Sequence, residues 1–295
     1  MTNWMRNIPD SSLISEINIP GTHDTCARFI RLSHITQCQD KSVTEQLNMG
    51  VRFIDLRVRL QKKKLVLVHG VATCYEDKKK KKPLFLDSII TECRKFLSLN
   101  PEETILLSLK RDDGPSSEEA FDFFYKNYVK NDAFWYLENR IPTLGEVRGK
   151  IVLFNRCAVD FSDKESAYSD YNTGLDFSHL PDQSRVDFTG LETAFMHHRL
   201  TGGKEKYYLQ DMYKLAPREK WENGVLPALE AHVEEDAIIL NFTSSNRFPT
   251  GPRKTAKYVQ KKLGKYPFQA SQKYGILILD FPTEALCRRL ILTNF

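Results

Sequence analysis

The sequence predicts an α/β fold: a parallel barrel of eight strands in a single domain. Three observations lead there. Short β-rich runs alternate with longer helical stretches from end to end. Eight such runs fit into 295 residues, and no linker or low-complexity segment divides them. A doubly wound open sheet is the alternative arrangement of the same elements.

Strands are expected at residues 13–19, 52–60, 65–69, 104–110, 151–156, 207–211, 237–242 and 275–280. Helices are expected at 86–98, 118–129, 226–233, 255–263 and 284–292. In the first of these, Phe85, Ile89, Ile90, Cys93, Phe96 and Leu97 recur at helical spacing and give one buried stripe. The opening strand stops at Pro20-Gly21, a pair that ends strands and lets the backbone bend. His23 and Asp24 follow at once, at the lip where ligands gather in α/β folds. Residues 160–187 read as a long polar loop.

Hydrophobic content of 41% with 27% charged residues is that of a soluble globular protein. No apolar run approaches the roughly 20 residues of a membrane span. Residues 1–8 have no long apolar core, so no intact signal peptide is expected; a secreted and a cytoplasmic location both stay open. The six cysteines follow no zinc spacing and several sit in or beside apolar runs, which favours free thiols in a reducing compartment, although an even count also permits disulfides. Net charge is +5, with much of the excess in lysine tracts at 62–64 and 78–82. Each tract alone reads as a solvated loop. Five lysines in a row would also hold the protein on an anionic membrane, at about 1 kcal/mol each. No zinc-finger, RNP or helix-turn-helix pattern accompanies the charge, which argues against nucleic acid.

Strand periodicity then sorts the polar groups. In 52–60, Ile54, Leu56, Val58 and Leu60 share one face; Phe53, Asp55, Arg57 and Arg59 share the other. The apolar face would pack on outer helices, leaving Asp55 and Arg57 inside the barrel about 7 Å apart. Other strands end alike, in His69, Lys110, Arg156 and Asp280. In a barrel those C-terminal ends ring the active site.

The expected site holds His23 and His69, the carboxylates Asp24, Asp55 and Asp280, and the cations Arg57, Lys110 and Arg156. Converging cations indicate a phosphate or polyanion. Two histidines suit a general acid and a general base in one turnover. A carboxylate behind the base would set its tautomer. Cleavage of a phosphodiester by a hydroxyl of the substrate itself is the simplest reaction for this set. G-x-S-x-G, H-E-x-x-H, Walker A and G-x-G-x-x-G patterns are absent. Gly202-Gly203-Lys204 lacks phosphate-loop spacing, His197-His198 is a poor chelate, and His34, His179 and His232 read as surface or capping residues.

The series Ile19-Pro20-Gly21-Thr22-His23-Asp24, Val51-Arg52-Phe53-Ile54-Asp55-Leu56-Arg57 and Val66-Leu67-Val68-His69-Gly70 resembles the X-domain of phosphatidylinositol-specific phospholipase C, in its bacterial single-domain form. The similarity continues through Ser108-Leu109-Lys110, residues 150–156, Leu209-Gln210-Asp211-Met212-Tyr213, Asn241-Phe242-Thr243-Ser244 and Ile278-Leu279-Asp280, so it spans nearly all of residues 1–295 as one catalytic barrel. The resemblance implies a distorted TIM (β/α)8 barrel that cleaves phosphatidylinositol to diacylglycerol and inositol 1,2-cyclic phosphate. It implies His23 as the base, oriented by Asp280, and His69 as the acid, assisted by Asp24. Arg57 would contact the phosphate, with Asp55 positioning the site. Lys110, Arg156 and Asp211 would bind inositol hydroxyls, and Tyr213 would stack beneath the ring.

Calcium-dependent members of the family carry acidic or amide ligands where this chain has Asp24, Asp55, Arg57 and Lys110. Calcium wants clustered oxygens, and two cations there would repel it, so no metal or other cofactor is expected. The chain departs from the family at the membrane rim. Trp4, Trp135 and Trp221 lie outside the two rim segments, which offer Phe29, Ile30, Leu32, Ile35 and Phe248 instead. Weaker apolar insertion and more lysine-driven adsorption are therefore expected, by a monomer acting on inositol phospholipid at an anionic surface. Two rival readings are a glycerophosphodiester phosphodiesterase, which opens with His-Arg-Gly and holds a metal, and a catalytically dead lipid-binding module.

Overall fold

The computed structural model describes residues 1–158, 172–183, 206–234 and 236–295, and the backbone of 196–199. The strands are β1 (Ile19–Thr22), β2 (Phe53–Gln61), β3 (Lys64–His69), β4 (Ala72–Thr73), β5 (Ile105–Arg111), β6 (Trp135–Tyr136), β7 (Ile151–Asn155), β8 (Leu175–Asp176), β9 (Met196–Arg199), β10 (Lys206–Gln210), β11 (Ile238–Phe242) and β12 (Ile276–Leu279). Eight of them form a parallel path in the order β8-β7-β5-β2-β1-β12-β11-β10, and β6 also pairs parallel with β7, on the same edge as β8. This curled sheet bears out the parallel barrel.

Its membership differs from the expectation at two places. Residues 65–69 belong to β3, which pairs antiparallel with the far half of β2 and continues into β4 outside the barrel wall. The eighth parallel strand is β8, inside the stretch read as polar loop. Two residues are too few for periodicity to register, which is why the sequence concealed it. Gly174 makes the approach to β7 feasible: at φ +84°, a Cβ there would sit 2.4 Å from Leu153 O. Residues 160–171 and 184–187 of the expected loop, and Gly202-Gly203-Lys204, lie outside the described residues. His197 and His198 lie in β9, opposite Tyr208 and Tyr207 of β10.

No ladder joins β8 to β10 among the described residues. Aromatic stacking spans that gap. Phe177 stacks on Phe154 of β7 at 4.9 Å between centroids and meets Tyr207 of β10 edge-on at 4.9 Å. Gln183 Nε2 donates to Leu209 O at 3.0 Å, and its Oε1 accepts from Asp211 N. Side chains thus bridge β7 and β10 where no ladder joins β8 to β10 among the described residues.

The two faces of the sheet divide as the β2 pattern required. Phe53, Leu106, Val152, Phe154, Leu209, Leu240, Phe242 and Ile278 fill the interior. Ile54, Leu56, Val58, Leu107, Leu109 and Leu153 face outward, onto the 86–99 helix and its neighbours. That helix, Leu86–Leu99, buries Leu86, Ile89, Ile90, Cys93, Phe96 and Leu97, the stripe its spacing predicted. The later helices form as Pro252–Leu263 and Glu284–Ile291. The expected 118–129 and 226–233 helices shift: the first becomes Ser117–Phe124 followed by a π turn, and the second shrinks to Leu226–Glu230. No helix among the described residues is long and apolar enough to cross a membrane. All six cysteines are free and buried.

The first strand starts at Ile19, six residues later than its expected start, because Asn18 fastens the chain there. Asn18 Oδ1 accepts from Tyr274 N and Gly275 N at 2.6 and 2.9 Å, and its Nδ2 donates to Gln272 O and Thr293 Oγ1. Pro20 and Gly21 lie within β1 and do not end it. A Cβ on Gly21 would meet Phe53 Cβ at 3.0 Å, so glycine here lets β1 and β2 approach.

Candidate active site

The chain leaves β1 through Thr22 and turns at Asp24, whose φ of 41° is the real bend. Thr25 stitches this turn to β2: its N–H donates to Asp55 O at 2.9 Å, and its Oγ1 accepts from Asp55 N at 2.8 Å. Gln39 Nε2 holds His23 O at 2.7 Å. The ring of His23 is thereby presented to a cleft of about 500 Å³ at the C-terminal end of the barrel.

The proton positions follow from the partners. Arg57 Nη2 lies 3.0 Å from His23 Nε2. A guanidinium only donates, so Nε2 carries a lone pair and the ring proton sits on Nδ1. Nδ1 then donates to Asp280 Oδ1 at 2.9 Å. His69, at the end of β3, donates from Nδ1 to Thr36 O at 2.8 Å, which turns its Nε2 toward the same cleft. Asp24 stands between the rings. Its Oδ2 is 3.1 Å from His23 Nε2 and 3.3 Å from His69 Nε2, while Oδ1 pairs with Arg57 Nε at 3.2 Å. The resemblance places Asp24 on the leaving-group side with His69; in the structure it lies against both histidines.

Burial governs the charges. It lowers His23 to about 4, against the opposing pull of Asp24, so the ring is a neutral imidazole. It also raises Asp280 above the usual carboxylate range, with His69, Arg57 and Lys220 pulling the other way. Burial would raise Asp55 too, but Arg57 and Arg156 bring it down to about 2. Asp55 is wholly buried: Oδ1 accepts from Ser108 Oγ and Arg156 Nη1, both at 3.2 Å, and Oδ2 lies 3.4 Å from Arg57. Asp55 therefore anchors two cations from beneath.

All the sequence-predicted site residues come together. His23, Arg57, His69, Lys110, Arg156, Asp211, Tyr213 and Asp280 line the cleft, with Asp24 and Asp55 behind them. Lys110 sits beside Arg57 in register across β5 and β2. Tyr213 stands on the opposite wall, its hydroxyl bonded to Asp182 Oδ1 at 3.0 Å.

Sequence reasoning missed three groups. Asp112 accepts from Gly70 N at 2.9 Å and pairs with Arg57 at 3.3 Å and Lys110 at 3.2 Å. It continues the Ser108-x-Lys110 alternation by one more step, so period two could have found it. Cys38 lies 3.8 Å from His69 Nδ1, and Lys220 is buried beneath the Asp211 turn; neither has a sequence signal. His23, Asp24 and Cys38 bring donor atoms within 4.8 Å of one another. Arg57, bonded to the first two, opposes a dication there.

The rim differs in detail from the expectation. Ile30 is buried, whereas Leu32, Val71 and Phe248 are exposed, Phe248 to 85%. All three tryptophans are buried.

Residues 19–157 match the family model of phosphatidylinositol-specific phospholipase C, X domain. A 1-phosphatidylinositol phosphodiesterase of Staphylococcus aureus is 30% identical over 82% of this chain and 74% of its own length. One of Listeria monocytogenes is 26% identical over 99% and 84%. A solved structure of a mutant phosphatidylinositol-specific phospholipase C from Staphylococcus aureus superposes with a TM-score of 0.78 at 25% identity, covering 100% of this chain and 98% of that one. The Listeria monocytogenes enzyme shares the fold at a TM-score of 0.71 and 24% identity, over 100% and 98%. Fold, site and relatives agree, and this chain belongs to the phosphatidylinositol-specific phospholipase C X-domain family.

Proposed function

We propose that residues 1–295 work as one catalytic barrel that cleaves phosphatidylinositol to diacylglycerol and inositol 1,2-cyclic phosphate. The observation that carries this reading is the pair of histidines. Each donates from Nδ1 to a fixed acceptor, and each turns Nε2 toward one cleft beside Arg57.

His23 Nε2 removes the proton of the inositol 2-hydroxyl. The freed oxygen attacks phosphorus, the bond from phosphorus to the glycerol oxygen breaks, and His69 Nε2–H protonates that oxygen. Asp280 holds the Nδ1–H of His23 through the step and stabilises the imidazolium that forms. Asp24, with a buried Oδ2 that lacks a hydrogen-bond partner, accepts from whichever Nε2 carries the proton. Arg57 swings its donors from His23 to the phosphoryl oxygens, held meanwhile by Asp24, Asp55 and Asp112. Lys110, Arg156 and Asp211 bind ring hydroxyls, and Tyr213 lies beneath the ring.

The guanidinium supplies the positive charge, so turnover needs no calcium. The monomer docks peripherally on anionic bilayers, through the lysine tracts and the exposed Leu32, Val71 and Phe248. Nucleic acid has no part in this. Phosphorus NMR of a phosphatidylinositol digest in excess EDTA tests the whole reading: the cyclic phosphate resonance is expected. Loss of turnover restored by calcium would refute metal independence. Lipid binding without any turnover would leave a binding module.

A further inference from the structure

The two histidines of the cleft lean on supports of unequal strength. Asp280, which receives the Nδ1–H of His23, follows directly on β12 inside the parallel sheet. Thr36 O, which receives the Nδ1–H of His69, ends the helix Ser33–Thr36. That helix is four residues long, buries none of them and has no side-chain cap; Leu32 before it has a φ of 54°. A single turn is not stable alone, because fixing its first residues costs more than the few bonds return. Contacts from elsewhere must therefore decide where Thr36 O lies.

They come from the segment after β11. Asn246 Nδ2 donates to Ile35 O at 3.1 Å, one peptide before the acceptor of His69. Among the described residues this is the one hydrogen bond, besides that of His69, that reaches the helix from a distant part of the chain. Asn246 is itself held: its N–H donates to Tyr213 O at 2.8 Å, and the neighbouring Ser245 Oγ donates to Leu215 O at 2.6 Å and accepts from Leu215 N at 3.1 Å. Gly251 closes on the helix from a second side, where a Cβ would run into His34 O.

We propose that Asn246 is a positioning residue for the leaving-group proton. Its amide fixes Ile35 and, through the next peptide, Thr36 O, and this keeps His69 Nε2–H aimed at the glycerol oxygen. Leu32 and Phe248, both exposed, lie on the two segments that the bond joins, so the rim and the acid share one support. The proposal rests on the reading of His69 as the general acid.

The test compares two substrates that differ in their need for that proton. A short-chain phosphatidylinositol below its micelle concentration must release an alkoxide, whereas the phenolate of a nitrophenyl ester of inositol 1-phosphate leaves unprotonated. Both are monomeric, so lost membrane contact does not enter. Asn246→Leu keeps much of the shape without the Nδ2 donor, and Gly251→Ala displaces the same helix independently. In each variant kcat on the lipid should fall about tenfold or more, and on the nitrophenyl ester by less than about threefold. Thermal melts run alongside, and if Asn246→Leu does not fold, Gly251→Ala carries the comparison. An equal fall on both substrates would reduce the bond to general stability. A rise in KM shared by both would make Asn246 a substrate contact, and unchanged rates would show that Thr36 O needs no support. Each of these overturns the proposal. The underlying reading fails separately: His69→Ala would then slow both substrates alike, whereas the acid role predicts a much larger loss on the lipid.

Discussion

Arg57 Nη2 donates to His23 Nε2 at 3.0 Å, and this contact assigns the ring tautomer. With Nε2 a lone pair, the proton belongs on Nδ1 against Asp280. Asp280→Asn keeps the shape but removes the negative charge that stabilises the imidazolium, and its amide can turn a donor toward Nδ1, which favours the wrong tautomer. Analogy with catalytic triads sets the expected loss in kcat at about 10³–10⁴-fold, with little change in KM. Steady-state rates on phosphatidylinositol measure this; a loss below tenfold would contradict the tautomer argument.

The His23 ring itself is expected to stay neutral far into acid. Burial lowers it from 6.5 to about 4, so at pH 5.5 a free imidazole is mostly protonated and this one is not. The imidazole carbon resonances of His23, assigned with His23→Ala, should hold their neutral positions down to about pH 4. A midpoint near 6.5 would mean that the ring is open to water.

Asp112 should matter to both rate and stability. Burial would raise it, but Arg57 and Lys110 hold its carboxyl well below the ordinary 3.8. A depressed carboxylate adds stability that is complete above its unfolded value and is lost as the pH falls below it. Asp112→Asn should therefore lower the melting temperature at pH 6 and converge with the wild type toward pH 2. The same variant releases Lys110 and one hold on Arg57, and kcat/KM is expected to drop about 10- to 100-fold. An equal melting difference at both pH values would assign the effect to packing.

The lysine turn allows a test that spares the cleft. Lys80 Nζ donates to Ile30 O at 2.6 Å, which pins this turn to the segment leading to exposed Leu32. Its neighbours Lys78, Lys79 and Lys81 are exposed. Replacing these three with glutamine should weaken binding to anionic vesicles by about 100-fold at low salt, from roughly 1 kcal/mol each. The wild type should lose affinity steeply as salt rises. Salt-independent vesicle binding by the wild type would exclude the electrostatic contribution.

At the other end of the barrel, Arg52 and Glu103 form a wholly buried pair at 2.6 Å. The guanidinium also donates to Leu47 O, Val51 O and Thr2 O, and Glu103 Oε1 accepts from Met5 N at 2.7 Å. Arg52→Ala strands a buried carboxylate and is expected to cost about 3–5 kcal/mol in denaturant unfolding. A cost under 1 kcal/mol would mean that water replaces the arginine.

Much of this protein was legible without coordinates, where a local rule sufficed. Period two in β2 put Asp55 and Arg57 on the interior face opposite Ile54, Leu56 and Val58, because alternation is a property of any extended chain. The same rule brought His69, Lys110, Arg156 and Asp280 to one end. It failed where tertiary contacts outweigh local preference. Pro20-Gly21 reads as a turn but lies inside β1, since Gly21 accommodates Phe53 and the bend falls at Asp24. Residues 65–69 have a good strand pattern yet leave the barrel, while Leu175–Asp176, with almost none, joins it.

The sequence by itself determined which chemical groups are present and which strand end carries each, since spacing along a chain dictates facing. The tertiary structure decided what those groups do to one another. Only folding brings His23 and Asp280 across 257 positions of sequence to 2.9 Å. Only folding sets Asp24 between two rings and buries Lys220 under the turn that holds Asp211. Charge state and tautomer depend on distance and desolvation, and neither exists until the barrel has closed.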